Sequence, residues 1–434
     1  MLDADLHNHG DKEVGGKRDW PVAKCPSRSS FVPIRVHSWR PVRQWSAGAT
    51  PATGCAQLGL AFCARNWQKN SMSKIYRVIV VGMGKRGMHH AQTFVTNKRF
   101  ELVGICDIDS ARLAAAAPKL GNPKTGTDAA KLAHELKADV FCFCTLPNLR
   151  LPLIQLGIAT GAKLIAFEKP VAMSSTEGIA IKQALHAAGV KAVVSHQHRY
   201  GEHYKKVKDI VASGALGHVH TVYGTATGWA AHMLSHLIDY TCWFNNYAPA
   251  EWAMAQAAGR GKLADLHTSP DYVAGVVHFQ NGVRGIYDCG AGAPDVPEID
   301  ATKEQKLWWR KCRMGAQGSE GFAEVLTNGG WRAVTKSGGY QSGPGAMDYV
   351  EDMPPYIQEM ADWLDNDQQV HPCAFANAYR GFEIMAALYR SAAVGGQIAL
   401  PLTAGLDEIA LLKENVPAQK VLFTIPESAK EYPS

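Results

Sequence analysis

Three groups of residues carry chemistry by their types and spacing. Gly82-Met83-Gly84-Lys85-Arg86-Gly87 is a Gly-x-Gly-x-x-Gly turn entered directly from the β-branched run Val78-Ile79-Val80-Val81. Gly82 permits the tight turn, Gly84 lets backbone approach a pyrophosphate, and Gly87 lets the next helix pack close to the strand. The first amides of that helix then offer donors, and the positive end of its dipole, to the phosphates. A second apolar run, Leu102–Cys106, ends in Asp107, 20 residues after Gly87, where a carboxylate reaches the hydroxyls of an adenosine ribose. Asp107 would repel a 2′-phosphate and Ser110 brings no compensating charge, so NAD is expected over NADP. Arg112 is the nearby group that pulls the other way.

The second group is Glu168-Lys169-Pro170, which closes the apolar run Lys163–Phe167. A lysine at the carboxyl end of a parallel strand, on the cofactor side, hydrogen-bonds a substrate hydroxyl and lowers its pKa, while its neighbours fix the backbone. The third is His232, His236 and Asp239, spaced to share one helix face, so that both imidazoles can point at one pocket. An imidazole, with an ordinary pKa of about 6.5, is a competent proton acceptor at neutral pH.

The elements that must position these residues are legible in the period of the apolar positions. Helical patterns at Ala111–Leu120, Ala129–Leu136, Leu151–Thr160 and a segment capped by Ser174 and Glu177 alternate with strands at Asp139–Cys144, Lys163–Phe167 and Lys191–Ser195. Such alternation means a parallel sheet. The strand at 139–144 ends in Thr145-Leu146-Pro147-Asn148, a loop at the carboxyl edge where a doubly wound sheet presents ligand contacts. Beyond Tyr200 the texture changes to a helix, Tyr204–Ala212, and alternating segments at His218–Gly224, Tyr272–Phe279, Val283–Cys289 and Phe322–Leu326. Gln280-Asn281-Gly282 reads as a hairpin turn. Helices return at Tyr356–Leu364 and Ala374–Ala393, and a polar tail with a short amphipathic piece follows Pro401.

The 434 residues suffice for two domains with proper cores. A hydrophobic content of 46% and a mean hydropathy of −0.15 describe an ordinary globular composition, and no apolar run is long enough to span a bilayer. The formal charge of +6 is concentrated near the N-terminus. No acidic residue falls between Asp19 and Glu101, whereas Lys24, Arg28, Arg35, Arg40, Arg43, Arg65 and Lys69 do. With no basic helical stripe and no aromatic–basic interleaving, nucleic acid is not an expected partner. Ten scattered cysteines without a Cys-x-x-Cys pair point to a reducing, cytoplasmic setting, and Cys142 and Cys144 alternate with Phe141 and Phe143 as small core residues. Residues 1–71 show no sustained period and read as a disordered or non-native extension, with Met72 the expected start of the working protein.

Taken together, these motifs resemble the glucose–fructose oxidoreductase / inositol dehydrogenase (Gfo/Idh/MocA) family, over about Lys74–Leu402. Cys106-Asp107, Thr145–Asn148, Glu168–Ala172, Ser213–Gly217, Ser235–Asp239, Gly318–Gly321 and the stretch from Ser391 to Leu402 carry the resemblance in family order. It implies an α/β Rossmann domain at 72–197, a C-terminal α+β domain with a mixed, largely antiparallel sheet at 198–404, and a tail at 405–434. It implies NAD(P)-dependent hydride transfer at a secondary alcohol of a sugar, polyol or glycoside, in a homo-oligomer, dimer or tetramer, paired through the C-terminal sheet. The cofactor set is Gly82, Met83, Gly84, Lys85, Arg86, Gly87, Asp107, Thr145, Pro147, Asn148, Glu168 and Lys169, and the catalytic set Lys169, His236 and His232.

His232 stands where the family has an aspartate, four residues before the catalytic histidine. It replaces that carboxylate as a substrate hydrogen-bonder, or marks an altered reaction, or joins His236 as a metal ligand, although no third ligand is apparent and hydride transfer needs no metal. Two competing functions stay open: a glycosidase or dehydratase working through a transient keto-sugar on bound NAD, and a non-catalytic dinucleotide-binding regulator. Arg150 stands where the family often has a histidine, and the segment from Gly224 to His232 is short. His196, His198 and Tyr200 fall where the two domains meet. Trp229, Trp308, Trp309 and Trp331 are of a type that stacks on sugar rings, although ordinary packing is the more usual role.

Overall fold

The computed structural model describes residues 74–290, 293 and 312–416, all within one compact unit, Asn70–Ser434. The expectations for residues 1–71, for Met72, for Trp308 and Trp309 and for the tail beyond 416 lie outside the described residues.

Strands β1 (Tyr76–Val81), β2 (Phe100–Cys106), β3 (Lys124–Gly126), β4 (Val140–Phe143), β5 (Leu164–Phe167) and β6 (Lys191–Val194) form a parallel sheet in the order β3-β2-β1-β4-β5-β6. The order reverses between β1 and β4, which opens a crevice at the carboxyl edge there. Helices α1 (Lys85–Thr96), α2 (Ser110–Ala116), α3 (Ala129–Leu136), α4 (Arg150–Ala159) and α5 (Ser175–Ala188) connect the strands. Period-2 alternation splits β4 between two cores. Phe141 and Phe143 face one side, where the Phe143 and Phe167 rings stack at 5.4 Å, and Val140 and Cys142 face the other, with Phe94 and Ala91 of α1. The α1–β1 turn requires its glycines: Gly82 has φ +90°, and a Cβ on Gly87 would sit 1.7 Å from the Gly82 carbonyl oxygen.

After α6 (Glu202–Ala212) comes a second sheet, of nine strands among the described residues. They are β7 (Val219–Ala226), β8 (Ala250–Ala258), β9 (Tyr272–Phe279), β10 (Arg284–Gly290), β11 (Cys312–Gly318), β12 (Gly321–Leu326), β13 (Gly330–Thr335), β14 (Gly339–Gly343) and β15 (Ile398–Ala399), ordered β14-β13-β12-β11-β7-β10-β9-β8-β15. Every pairing is antiparallel except β10 with β7. Helix α7 (Ala230–Phe244) buries Leu234, Leu237 and Ile238 against this sheet, and a Cβ on Gly224 would lie 2.8 Å from that of Leu237, so glycine in β7 sets the closeness of the layers. Helices α8 (Tyr349–Asp365), α9 (Phe375–Val394) and α10 (Glu408–Asn415) complete the unit, α10 being the amphipathic piece of the tail.

The fold departs from the sequence-based expectation in instructive places. Helix α8 starts at Tyr349, not Tyr356, because the Asp348 side chain caps the Val350 amide at 2.7 Å and the helix tolerates Pro354 and Pro355 in its second turn. Those prolines forgo bonds to the carbonyls of Val350 and Glu351, which is why the segment does not look helical. Helix α2 ends at Ala116 and continues as a 3-10 turn, Ala117–Leu120. Ser174 caps α5 through the Glu177 amide, but the Glu177 carboxylate bonds the Met173 amide at 2.9 Å rather than closing back on Ser174.

Candidate active site

The carboxyl ends of four parallel strands deliver the first-named residues to one crevice. Gly82 follows β1, and its amide donates to the Cys106 carbonyl at 2.7 Å. Asp107 follows β2. It is 6% exposed and receives the Met83 amide at 2.6 Å and the Asp109 amide at 2.9 Å, so its carboxylate is held against the glycine turn. Arg112 lies 3.6 Å from Asp107 and 3.5 Å from Asp109. Beside it Ile108 is 91% exposed, an apolar surface at the rim. Gly84 caps α1, and a Cβ placed there meets nothing within 4 Å, so the turn has open space in front of it. Lys85 and Arg86 open α1. The Arg86 guanidinium pairs with Glu168 at 3.0 Å and lies 4.4 Å over the Tyr349 ring, so it links α1 to the end of β5. Thr145, Pro147 and Asn148 follow β4, with Pro147 buried and Asn148 exposed.

Glu168 and Lys169 follow β5. Burial works against the Glu168 charge, but Arg86 and then His90, at 3.2 Å, overcome it and hold the carboxyl well below its ordinary pKa. The half-buried Lys169 amine donates to the His232 carbonyl at 3.2 Å. Desolvation by burial lowers the Lys169 pKa to about 8, helped by Arg86 and Arg150 and opposed by Glu168. A lysine pKa held this low is uncommon and singles Lys169 out as a candidate for chemistry.

Helix α7 meets this crevice with both histidines. The half-buried His236 ring stacks on Tyr240 at 5.7 Å and lies 5.4 Å from His196 and 5.8 Å from His198. Its Nδ1 is buried without a hydrogen-bond partner, and burial, then Lys169, push its pKa well below the ordinary value, so the ring is neutral. The His232 ring sits in different company, 5.2 Å from Trp229 and 4.7 Å from His267, and burial with Lys169 pushes its pKa down to about 3. Asp239 does not face the crevice as a free carboxylate: it is 1% exposed and ion-paired with Arg199.

His267 is a residue at the candidate site that no sequence motif pointed to, and Arg150 one that stood out in the sequence only by its identity. The loop at 259–271 carries His267. Its path is fixed by the Asp271 carboxylate, which accepts the Gly261 amide at 2.9 Å and the Lys262 amide at 2.8 Å, and Lys262 lies 3.9 Å over the Trp229 ring. No local motif announces such a residue. Arg150, 1% exposed, donates to the carbonyls of Thr145 at 3.0 Å, Lys169 at 3.2 Å and Pro170 at 3.2 Å. It ties the β4 and β5 loops into one surface, and its unusual identity in the sequence was the available signal. Beside it a small cleft is lined by Pro147, Pro170, Met173, Ala231, His267 and Thr268. His198 bonds Asp352 of α8 at 2.6 Å, and the Tyr200 hydroxyl bonds Glu359, so both join α8 to the site. Trp331 is half-buried, with Lys206 5.4 Å from its ring.

Residues 76–196 match the oxidoreductase family with NAD-binding Rossmann fold, Gfo/Idh/MocA. Among curated proteins, myo-inositol 2-dehydrogenase of Thermotoga maritima is 23% identical over 232 residues, which are 49% of this chain and 67% of that protein. An uncharacterized protein of Sinorhizobium fredii is 29% identical over 156 residues, so the chain spans about two-fifths (42%) of its length. Among solved structures, the WlbA dehydrogenase of Bordetella pertussis, in complex with NADH and UDP-GlcNAcA, superposes with TM-score 0.60 at 21% identity, covering 76% of this chain and all of that one (100%). A levoglucosan dehydrogenase, in complex with NADH and levoglucosan, superposes with TM-score 0.63 at 16% identity, covering 76% and 100%. At these identities the superpositions speak to fold, and the fold is the two-sheet arrangement described above. Through the nucleotide-binding sheet and its glycine turn, residues 76–196 match the NAD-binding Rossmann domain of the Gfo/Idh/MocA oxidoreductases.

Proposed function

We propose that this protein is an NAD-dependent dehydrogenase that oxidises a secondary alcohol of a sugar, polyol or glycoside, with Lys169 and His236 acting on the hydroxyl. The observation that carries the reading is the meeting, at one sheet edge, of the glycine turn with a lysine whose pKa falls to about 8 beside a neutral imidazole. The crevice fits a dinucleotide. Open space lies before Gly84, and the Asp107 carboxylate is held at the place of a ribose and is pinned by two amides. Bound NAD supplies a hydride acceptor.

The protein's own groups do the rest. Gly82 to Gly87 receive the pyrophosphate, with Lys85 and Arg86 at the positive helix end. Asp107 takes the ribose hydroxyls, and Thr145, Pro147 and Asn148 shape the wall where the nicotinamide is placed. Arg150 holds that wall in register with Lys169. The Lys169 ammonium donates to the substrate oxygen, which stabilises developing alkoxide charge, and His236 accepts the proton through Nε2. His232 and His267 present imidazoles in place of the family carboxylate and hydrogen-bond neighbouring hydroxyls. The nucleotide-binding part is assigned to 72–197, the substrate part to 198–404 and the tail to 405–434. Met254, Val276 and Ile286 are register neighbours on the exposed face of β8, β9 and β10, an apolar row that supports pairing of two copies through this sheet.

Following nicotinamide reduction over a panel of sugars, inositols and glycosides, with NAD and NADP in parallel, tests the reading. Reduction of NAD by one of them supports it. Product without net NADH would point to internal redox on bound cofactor, and binding without turnover to a regulator. Asp107→Ser is expected to narrow the NAD-over-NADP preference by at least ten-fold in kcat/KM, as the like charge facing a 2′-phosphate is lost. An unchanged ratio would remove Asp107 from cofactor choice.

The pH dependence separates the two proton-handling groups. With His236 neutral and Lys169 required as a cation, kcat/KM for oxidation should be level below pH 8 and fall as the pH rises through the Lys169 pKa of about 8. A rate that climbs through that pH would make neutral Lys169 the proton acceptor instead.

A further inference from the structure

Beneath the crevice lies a cluster that the proposed reaction does not use. Cys142 and Cys144 are two apart on and just beyond β4, so both sulfurs leave the face of the sheet that α1 covers. His90 of α1, fully buried at 0% exposed, projects at the same place. One ligand atom from each of the three, two sulfurs and a ring nitrogen, lies within 4.8 Å of the others. The His90 ring is oriented by a carboxylate: Nε2 faces Glu168 Oε1 at 3.2 Å, while Nδ1 is buried with no hydrogen-bond partner. A carboxylate on Nε2 fixes the ring with its other side towards the two sulfurs, the arrangement in which a histidine that gives up its proton ligates a metal.

We propose that His90 Nδ1, Cys142 Sγ and Cys144 Sγ form a binding site for a soft divalent cation, zinc by preference, at the floor of the nucleotide crevice. Two thiolates and one imidazole select zinc over magnesium or calcium, which take oxygen ligands. Around a tetrahedral zinc, such atoms stand about 3.5–3.8 Å apart, so the cluster closes by inward movement of an ångström or less. The fourth position opens on the side of Cys144, the half-buried member. Bound there, the ion would clamp α1 to β4 and, through Glu168, to the end of β5 that carries Lys169. The site stands apart from His232 and His236, whose rings keep separate company.

Two measurements on the full chain test this. Titration with cadmium alone should give a thiolate-to-metal absorption band, and Cys142→Ser or His90→Ala should each remove one equivalent of bound metal relative to the unaltered protein. An unchanged stoichiometry in both would overturn the site. Because a variant can misfold, the unaltered chain supplies an independent readout. One equivalent of zinc should slow alkylation of Cys144 at least ten-fold in peptide-resolved mass spectrometry, and equal alkylation with and without zinc would overturn the proposal.

Discussion

Lys169→Ala is expected to lower kcat by about 10²–10⁴-fold while NAD affinity stays within two-fold. Among the described residues, the two arginines that act on Lys169 cannot stand in. Arg86 is committed to Glu168, and Arg150 to the three carbonyls of Thr145, Lys169 and Pro170. The amine is directed into the crevice by the His232 carbonyl at 3.2 Å, so its loss removes charge where alkoxide develops and leaves the glycine turn untouched. Single-turnover nicotinamide reduction, with calorimetry for NAD, separates the two quantities. Equal turnover in the variant would take Lys169 out of the reaction, and a parallel fall in NAD affinity would make it a cofactor-binding residue instead.

The second large effect concerns stability. Arg199→Ala should destabilise the fold by about 3–5 kcal/mol, because it strands a buried carboxylate. Arg199 and Asp239 are 3% and 1% exposed, and Arg199 also donates to the Tyr247 hydroxyl and the Pro372 carbonyl, each at 2.7 Å. With the guanidinium gone, the described residues leave Asp239 facing His196, whose Nδ1 is 3.7 Å away and whose charged form burial disfavours. A lower urea midpoint in Arg199→Ala, largely restored in the double variant Arg199→Met with Asp239→Leu, is the expected pattern, since replacing both partners leaves no orphan charge. A double variant as unstable as the single one would show that packing of the guanidinium, not charge, is what matters.

Much of the nucleotide-binding half was legible because its signals are local. The turn at Gly82–Gly87 needs positive φ and close backbone approach, and only glycine supplies both, so the residues name the geometry. The second sheet was less legible. Strand β8 is alanine-rich, β11 and β14 contain two glycines each, and none shows the branched alternation that marks a strand from sequence. These strands exist because neighbours pair with them. The site divides the same way. Strand-end position and helical spacing set Lys169, His232 and His236 together in the sequence, and the Lys169 amine does meet the His232 carbonyl, but the same spacing put Asp239 in their company, and spacing cannot see Arg199. His267 arrives from a loop 31 residues beyond His236 along the chain, ordered by the Asp271 carboxylate, and no periodic pattern reaches that far.

The central claim is direct transfer of hydride from a carbinol carbon, with Lys169 and His236 holding the hydroxyl. Its most direct test offers the protein NAD and a panel of sugars, inositols and glycosides carrying deuterium on the reacting carbon, and locates the label by mass spectrometry. The account predicts deuterium on C4 of the reduced nicotinamide with at least one member of the panel, appearing about 10²–10⁴-fold more slowly with Lys169→Ala. NAD binding with no label transferred from any member would contradict it.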